Sequence, residues 1–195
     1  MTGVSVTSVE LPEVCVSEVM RYAGYRSADE CAEREIMSCI EEASDIFSSR
    51  VAYAELDVRI DGEICDFGLF SVKSAALAKN LKGSRQAVVF AATAGVGIDR
   101  LITRYSRLSP SRSVLFQAIG TERVEALCDA FCNEYARDRG VALKHRFSPG
   151  YADLSLDTQR EIFKILDCKR KIGVSLNESL LMSPSKSVTA FVGIK

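Results

Sequence analysis

The sequence predicts a single α+β domain with a largely antiparallel sheet flanked by helices. Three observations indicate this class: one pair of strand-like segments is joined by a turn signal, the other strand-like segments are isolated, and the helical segments occur in blocks. Strands that alternate regularly with helices would instead favour a doubly wound parallel sheet. The chain has 195 residues, 47% hydrophobic and 26% charged, which is the composition of one globular domain and excludes wholesale disorder, collagen and coiled coils.

The N-terminal part of the domain, residues 1–85, begins with a strand and two helices. Residues 4–11 alternate weakly between apolar and polar side chains and predict an edge strand, and residues 12–22 predict a short helix. A capping box at Ser27 and Glu30 begins a longer helix, because each side chain can accept a backbone N–H bond at the helix start. The apolar side chains that follow recur at helical spacing, so one face of this helix is expected to be buried.

A hairpin and a third helix complete the N-terminal part. Two strand-like segments, residues 51–60 and 63–72, are separated by Asp61-Gly62, a two-residue turn signal. Residues 74–81 then predict a short helix that ends before Gly83, a residue suited to the C-terminal cap.

The second part of the domain, residues 86–195, begins with the continuous apolar run of residues 86–92, which predicts a buried strand. A long helical pattern further on has Gly120 as a possible interruption, and Gly140 ends it. Beyond the buried strand, the pattern predicts three helices and a final strand, over residues 97–108, 111–139, 158–166 and 187–194.

Composition excludes several kinds of site. His145 is the single histidine, so a multi-histidine metal site is excluded and we expect no bound metal. The seven cysteines are odd in number and form no C-x-x-C pair, so we expect reduced thiols, with Cys31 and Cys39 buried among apolar residues. Cys128 and Cys132, one helical turn apart, leave a redox or metal pair open as the less favoured interpretation.

The sequence also predicts a location. No apolar stretch approaches the ~20 residues of a membrane span, so no membrane association is expected. The N-terminus lacks the basic start and apolar run of a signal peptide. We therefore expect a cytoplasmic protein.

Two further patterns are weak. Gly95-Val96-Gly97 follows the buried strand and precedes a helix, but Arg100 occupies the third glycine position of a dinucleotide loop, which favours a tight turn. The basic run Lys169-Arg170-Lys171 is not interleaved with aromatic residues, so no nucleic-acid partner is expected.

The net charge of −1 hides two unlike regions. Residues 1–66 carry 15 acidic and 5 basic residues, whereas residues 67–195 carry 11 acidic and 20 basic residues. The regions therefore have net charges of −10 and +9. A basic working face that attracts an acidic partner is one hypothesis that this split suggests.

The segment most suggestive of binding is residues 145–151, His-Arg-Phe-Ser-Pro-Gly-Tyr. Arg146 offers a rigid fork for a carboxylate, and Gly150 lets a ligand approach the backbone closely. Tyr151 adds a flat apolar face with a polar tip. These groups could hold an amino-acid-like or nucleoside-like ligand, and a merely structural turn is equally compatible with them.

A family resemblance is carried by two motifs in order. Arg-x-x-Pro-Gly-Tyr at residues 146–151 is followed by the helical segment LDTQREIFKILD at residues 156–167, and I-G-x-x-L-x-E-S lies at residues 172–179. Together they resemble the activation (reactivation) domain of cobalamin-dependent methionine synthase. Upstream, EVMRYAGY and AATAGVGIDRLI resemble stand-alone members of the same superfamily. The resemblance is strongest over residues 86–195 and implies the fold of that domain.

The resemblance implies a function. In the family, this domain binds S-adenosylmethionine, which remethylates cobalamin held by the partner after an electron arrives from a flavodoxin-type donor. Carried over by position, Arg146 would bind the ligand carboxylate, and the backbone around Ser148 and Gly150 would meet the adenosyl or amino end. Tyr151 would lie towards the corrinoid or the ligand. No catalytic base is implied, because the protein would contribute positioning.

The sequence departs from the family pattern at three places. Gly140 stands six positions before Arg146, where the fused family domain has an acidic residue. A second family glutamate falls on Asp129, which shares a helical face with Glu122 and Glu125; this face could line an open cleft or simply be solvated. The fused domain's N-terminal aspartate segment has no identifiable match, and its later tyrosine-bearing strand is expected to be missing after Gly193.

These residues suggest three functions. The first is an accessory subunit that binds S-adenosylmethionine and reactivates the cobalamin of a methionine synthase or related corrinoid protein. The second is a module that docks on a corrinoid protein without binding S-adenosylmethionine. The third, less favoured, is a self-sufficient methyltransferase that acts on a small substrate.

Overall fold

The computed structural model describes residues 3–27 and 30–195 and has the predicted α+β class, with antiparallel sheets and flanking helices. Its helices are α1 Val16–Ala23, α2 Glu30–Ala43, α3 Ala75–Leu81, α4 Gly97–Leu108, α5 Pro110–Arg139, α6 Thr158–Leu166 and α7 Cys168–Ile172. Its strands are β1 Ser5–Thr7, β2 Arg50–Asp57, β3 Arg59–Asp61, β4 Ile64–Asp66, β5 Ser71–Lys73, β6 Gln86–Thr93, β7 Ser175–Leu176, β8 Met182–Ser183 and β9 Ser187–Gly193. The predicted capping box includes residues 28 and 29, which lie outside the described residues.

The central sheet has the antiparallel order β1-β2-β6-β9. After Gln86, every residue of β6 is buried, because β6 is an inner strand with packed side chains on both faces of the sheet. One face packs against α3, α6 and α7, and the other packs against the second half of α5. The predicted buried strand and the predicted edge strand β1 are both confirmed.

The predicted hairpin of two long strands is wrong. Strand β2 pairs with β1 and with β6 and ends at Asp57, where its pairing with β6 ends, and Val58 donates to the carbonyl of Arg85 at 2.9 Å. The chain then forms a separate three-stranded sheet, β3-β4-β5. Its first turn has Gly62 and Glu63 at the centre, one residue later than predicted.

The glycines around α4 and α5 have packing roles. A side chain at Gly97 would place its Cβ 2.3 Å from the backbone oxygen of Ile46, and Gly95 adopts φ +89°, which supports the tight-turn interpretation. Helix α5 continues unbroken through Gly120, where a Cβ would lie 2.9 Å from Lys186, so the predicted possible interruption does not occur.

Other predictions have mixed outcomes. Cys39 is buried as expected, whereas Cys31 is exposed, so its predicted burial is wrong. Helix α1 begins at Val16 and not at residue 12. Within residues 3–27 and 30–195, none of the helices is both long and apolar enough to cross a bilayer.

Candidate functional site

The motif segment, residues 143–147, lies along the outer edge of β9. The backbone N–H of Phe147 donates to the carbonyl of Phe191 at 2.9 Å, and the N–H of Phe191 donates back at 2.8 Å. Phe147 packs into the core on the α6 side of the sheet, while Arg146 reaches α5 on the opposite side. The segment is therefore fixed by the sheet, and the sheet holds Arg146 in place.

Arg146 forms ion pairs with two carboxylates of α5. Its Nη2 lies 3.0 Å from Oε2 of Glu125 and 2.9 Å from Oδ1 of Asp129. These acids are one helical turn apart, so they face the same way. The other terminal nitrogen, Nη1, is buried and has no hydrogen-bond partner among the described residues. The structure thus brings Arg146 and Asp129 together and leaves one donor of the guanidinium unused.

A cavity of about 870 Å³ lies beside this ion pair. Its walls come from α5, from α1 and from the irregular segment between β1 and α1. Six of its lining side chains are acidic: Glu10, Glu13, Glu18, Glu122, Glu125 and Asp129. The helical face that the sequence left ambiguous therefore lines an open cleft, and that cleft is strongly acidic.

A buried ion pair that sequence reasoning missed holds one wall of the cavity. Glu122 and Arg123 are only 5% and 4% exposed, and they bond to each other at 2.5 and 2.6 Å. Arg123 also donates to the carbonyls of Pro12 and Glu13 at 2.7 and 3.1 Å, while Glu122 accepts from the N–H of Cys15 at 3.1 Å. A sequence signal existed, because Arg123 interrupts the apolar stripe of a long helix.

Of the five predicted site residues, Asp129 is the one that lines this cavity. Arg146 reaches the cavity wall through its ion pairs, and the others, Ser148, Gly150 and Tyr151, do not line the cavity. They form the turn after Arg146, in which Gly150 adopts φ +90° and donates to the carbonyl of Leu154 at 2.8 Å. Tyr151 is 68% exposed. The turn therefore presents an aromatic ring and a glycine to solvent rather than to the cavity.

Asp153, also missed from the sequence, ties this turn to α3. Its carboxylate accepts from the hydroxyl of Ser74 at 2.5 Å and from the backbone N–H groups of Ala75 and Ala76 at 2.7 and 3.2 Å. These bonds, above all the one from Ser74, lower the pKa of Asp153 below its usual value. A carboxylate at a helix N-terminus is a stabilising arrangement, so the motif turn and α3 are joined as one unit.

A second groove, of about 700 Å³, lies between α3 and the motif segment. Its lining by described residues includes Lys79, Lys144, His145 and Lys195 and no acidic side chain. Within the described part of the chain, none of these lysines takes part in a salt bridge. The motif segment thus separates an acidic cavity from a basic groove. Over the same residues, no cluster of three or more metal-ligating side chains is found.

Comparisons with known proteins agree with the motif resemblance. Residues 75–194 match the family model described as "Vitamin B12 dependent methionine synthase, activation domain". The structure resembles a solved structure described as "Crystal Structure of the MetH Reactivation Domain bound to AdoHcy", with a TM-score of 0.73 and 14% identity. The match covers 98% of this chain and 78% of that one. A search of curated proteins finds no match.

The matched region contains the elements that position Arg146, namely α5, the motif segment and β9. The wall segment that Glu122 and Arg123 hold lies outside it. The resemblance inferred from the motifs is confirmed: the chain belongs to the family of activation domains of vitamin B12-dependent methionine synthases.

Proposed function

We propose that this chain binds S-adenosylmethionine in the acidic cavity beside Arg146. Serving as an accessory subunit, it would present the methyl group to reduced cobalamin held by a methionine synthase or related corrinoid protein. The observation that carries the proposal is the charge arrangement of the cavity. S-adenosylmethionine has a carboxylate, an ammonium group and a sulfonium cation. Six acidic side chains line the cavity, and Arg146 lies beside it, paired with two of them.

The cavity has the size that such a ligand needs. Small-molecule sites in proteins usually enclose ~300–1,000 Å³, and this cavity of about 870 Å³ lies in that range. The Arg146 side chain is 23% exposed, so a ligand carboxylate at the edge of the cavity can reach the guanidinium. Glu125 and Asp129 lie where they can attract a neighbouring cation. The solved relative, described as bound to AdoHcy, supports the same ligand class.

The protein's own contribution would be to bind and orient the ligand. The partner's reduced cobalamin would supply the nucleophile that accepts the methyl group of the sulfonium, with S-adenosylhomocysteine as the other product, and the residues around the cavity would hold the ligand. This transfer requires no proton acceptor on the chain, so holding the ligand in the correct orientation is sufficient. The exposed ring of Tyr151, on the turn next to Arg146, offers an apolar face towards an incoming corrinoid.

The basic groove supports a second part of the proposal. Three lysines without salt bridges suit an anionic partner, either the cobalamin-binding protein or an acidic flavodoxin-type electron donor. This groove, and not the cavity beside Arg146, corresponds to the basic working face suggested by the charge of residues 67–195.

One observation favours the alternative function, a module that docks on a corrinoid protein without binding S-adenosylmethionine. Nη2 of Arg146 is already paired with Glu125 and Asp129, and four of the five predicted contact residues, Arg146 included, are not part of the cavity lining. A ligand would therefore have to share Arg146 with two internal carboxylates.

Isothermal calorimetry with S-adenosylmethionine decides between the two functions. We expect saturable binding to the wild-type chain, and an affinity at least about tenfold lower for Arg146→Ala, because a charge-assisted hydrogen bond contributes that factor or more. Arg146→Lys should lie between the two, since it keeps the charge and loses the fork. Arg160→Ala, which removes an exposed arginine of α6, is the matched control. No heat at millimolar ligand would reject the proposal and leave the docking module.

A further inference from the structure

The segment between β1 and α1, residues 8–15, forms one wall of the acidic cavity and has little regular structure of its own. Val9 anchors its beginning in the core. Beyond Val9, Leu11 and Val14 are partly buried against two hydrophobic core clusters. The segment also borders two cavities, because Leu11 and Glu13 line both the large cavity and a second cavity of about 460 Å³. Apolar packing therefore covers this wall only in part.

The wall is held by hydrogen bonds to two neighbouring side chains of α5. Glu122 and Arg123 supply three bonds to the backbone of Pro12, Glu13 and Cys15. Glu122 lines the large cavity and Arg123 lines the smaller one, so the pair reaches both sides of the segment. Because a buried ion pair is costly to desolvate, its presence between two cavities is poorly explained by general stability.

We propose that Glu122 and Arg123 are positioning residues for the ligand cavity: they hold residues 8–15 in place and so set the cavity's shape and the placement of its acidic side chains. In its effect on S-adenosylmethionine this inference rests on the proposed function. The mobility of the wall can be measured without any ligand.

The test removes both charges together, in Glu122→Met/Arg123→Met. Replacing a buried ion pair by apolar residues of similar size often leaves global stability nearly unchanged, whereas the wall loses its bonds to Arg123. A glutamyl endopeptidase reports on the wall directly, because Glu10 and Glu13 are both exposed on it. We expect cleavage after these residues to accelerate at least about tenfold.

Alkylation of Cys15 by iodoacetamide gives a second readout. Its thiol is exposed at the start of α1, and hydrogen bonds from Ser17 and from the backbone of Glu18 lower its pKa. Because the charge of Glu122 also acts on this thiol, rates are compared on the plateau at high pH, where the thiol is ionised. Cys31 serves as the exposed reference and Cys39 as the buried one, so that local opening is distinguished from global unfolding.

The controls separate positioning from a purely structural role. Arg112→Met removes a partly buried, ion-paired arginine from the same helix away from the wall and should leave both rates unchanged. Arg123→Lys keeps the charge but not the fork and should give intermediate rates, which keeps the test valid if the double variant folds poorly. Faster cleavage and alkylation of the wall in the double variant, with weaker ligand binding by Arg123→Lys, which keeps all six acidic side chains of the cavity, support the proposal.

Unchanged cleavage and alkylation in a folded double variant would overturn the proposal. Acceleration at Cys39 equal to that at Cys15 would also overturn it, because this result means global unfolding. If the wild-type chain does not bind S-adenosylmethionine, the proposed function fails, while the cleavage and alkylation rates still decide whether the pair holds the wall.

Discussion

The motif segment, residues 143–147, separates two regions of opposite charge. On one side, Arg146 pairs with Glu125 and Asp129, which line a cavity with six acidic side chains; on the other, three lysines and His145 line a groove in which no described residue is acidic. The acids come from both halves of the chain, since Glu10, Glu13 and Glu18 belong to the acidic third and the others to α5. The local charge of each site therefore does not follow from the net charge of either part of the chain. The cavity suits a small cationic ligand, and the groove suits an anionic partner.

Among changes that test this contrast of charge, the largest effect is expected from removing two of the cavity's six acidic charges in Glu125→Gln/Asp129→Asn. Because these carboxylates attract the sulfonium, affinity for S-adenosylmethionine should fall about tenfold, and affinity for the uncharged thioether of S-adenosylhomocysteine should fall less. Calorimetry with both ligands measures the difference. Asp138→Asn, on the same helix but outside the cavity lining, is the control. An equal loss for both ligands would show that the carboxylates do not recognise the sulfonium charge.

Reversing the charges of the basic groove should have a smaller effect, and it should change the reaction with the partner protein and not the binding of the ligand. In Lys79→Glu/Lys195→Glu, affinity for S-adenosylmethionine should stay unchanged, while the rate of cobalamin reactivation with the partner protein and an acidic electron donor should fall severalfold at low salt. The deficit should shrink as ionic strength rises, because salt screens exposed charges. If wild-type reactivation is insensitive to ionic strength, the groove is not an electrostatic docking surface.

The smallest effect concerns Asp153, which joins the motif turn to α3. Asp153→Asn should lower the melting temperature by roughly a few degrees near neutral pH. Because the pKa of Asp153 is lower in the folded state than its usual value of 3.8, its stabilisation is complete above that value and is lost as the pH falls below it. The difference in melting temperature between wild type and variant should therefore shrink in acid. A difference that does not change with pH would contradict this role.

Features that depend on a few neighbouring residues could be predicted from the sequence, namely the family motifs and the face of the long helix. The motifs at residues 146–151 and 172–179 identified the family, and helical periodicity grouped Asp129 with Glu122 and Glu125. Local turn and strand signals, however, do not specify partners. From these signals we predicted that β2 forms a hairpin with the next segment, whereas β2 pairs with β1 and β6.

The remaining features depend on contacts between distant residues. Arg123 bonds to Pro12 across 111 positions, and Ser74 bonds to Asp153 across 79. No periodicity in a single sequence specifies such pairs. The basic groove was missed for the same reason, because its lysines come from α3, the motif segment and residue 195. Only the folded chain shows that the motif arginine faces acids.

The central claim is that S-adenosylmethionine binds on the acidic side of the motif segment, beside Arg146. A crystal structure of the chain with S-adenosylmethionine tests it most directly. We predict the ligand in the cavity of about 870 Å³, with its carboxylate within about 3 Å of the Arg146 guanidinium and its sulfonium facing Glu125 and Asp129. A ligand bound in the basic groove, or one whose carboxylate makes no contact with Arg146, would contradict the claim.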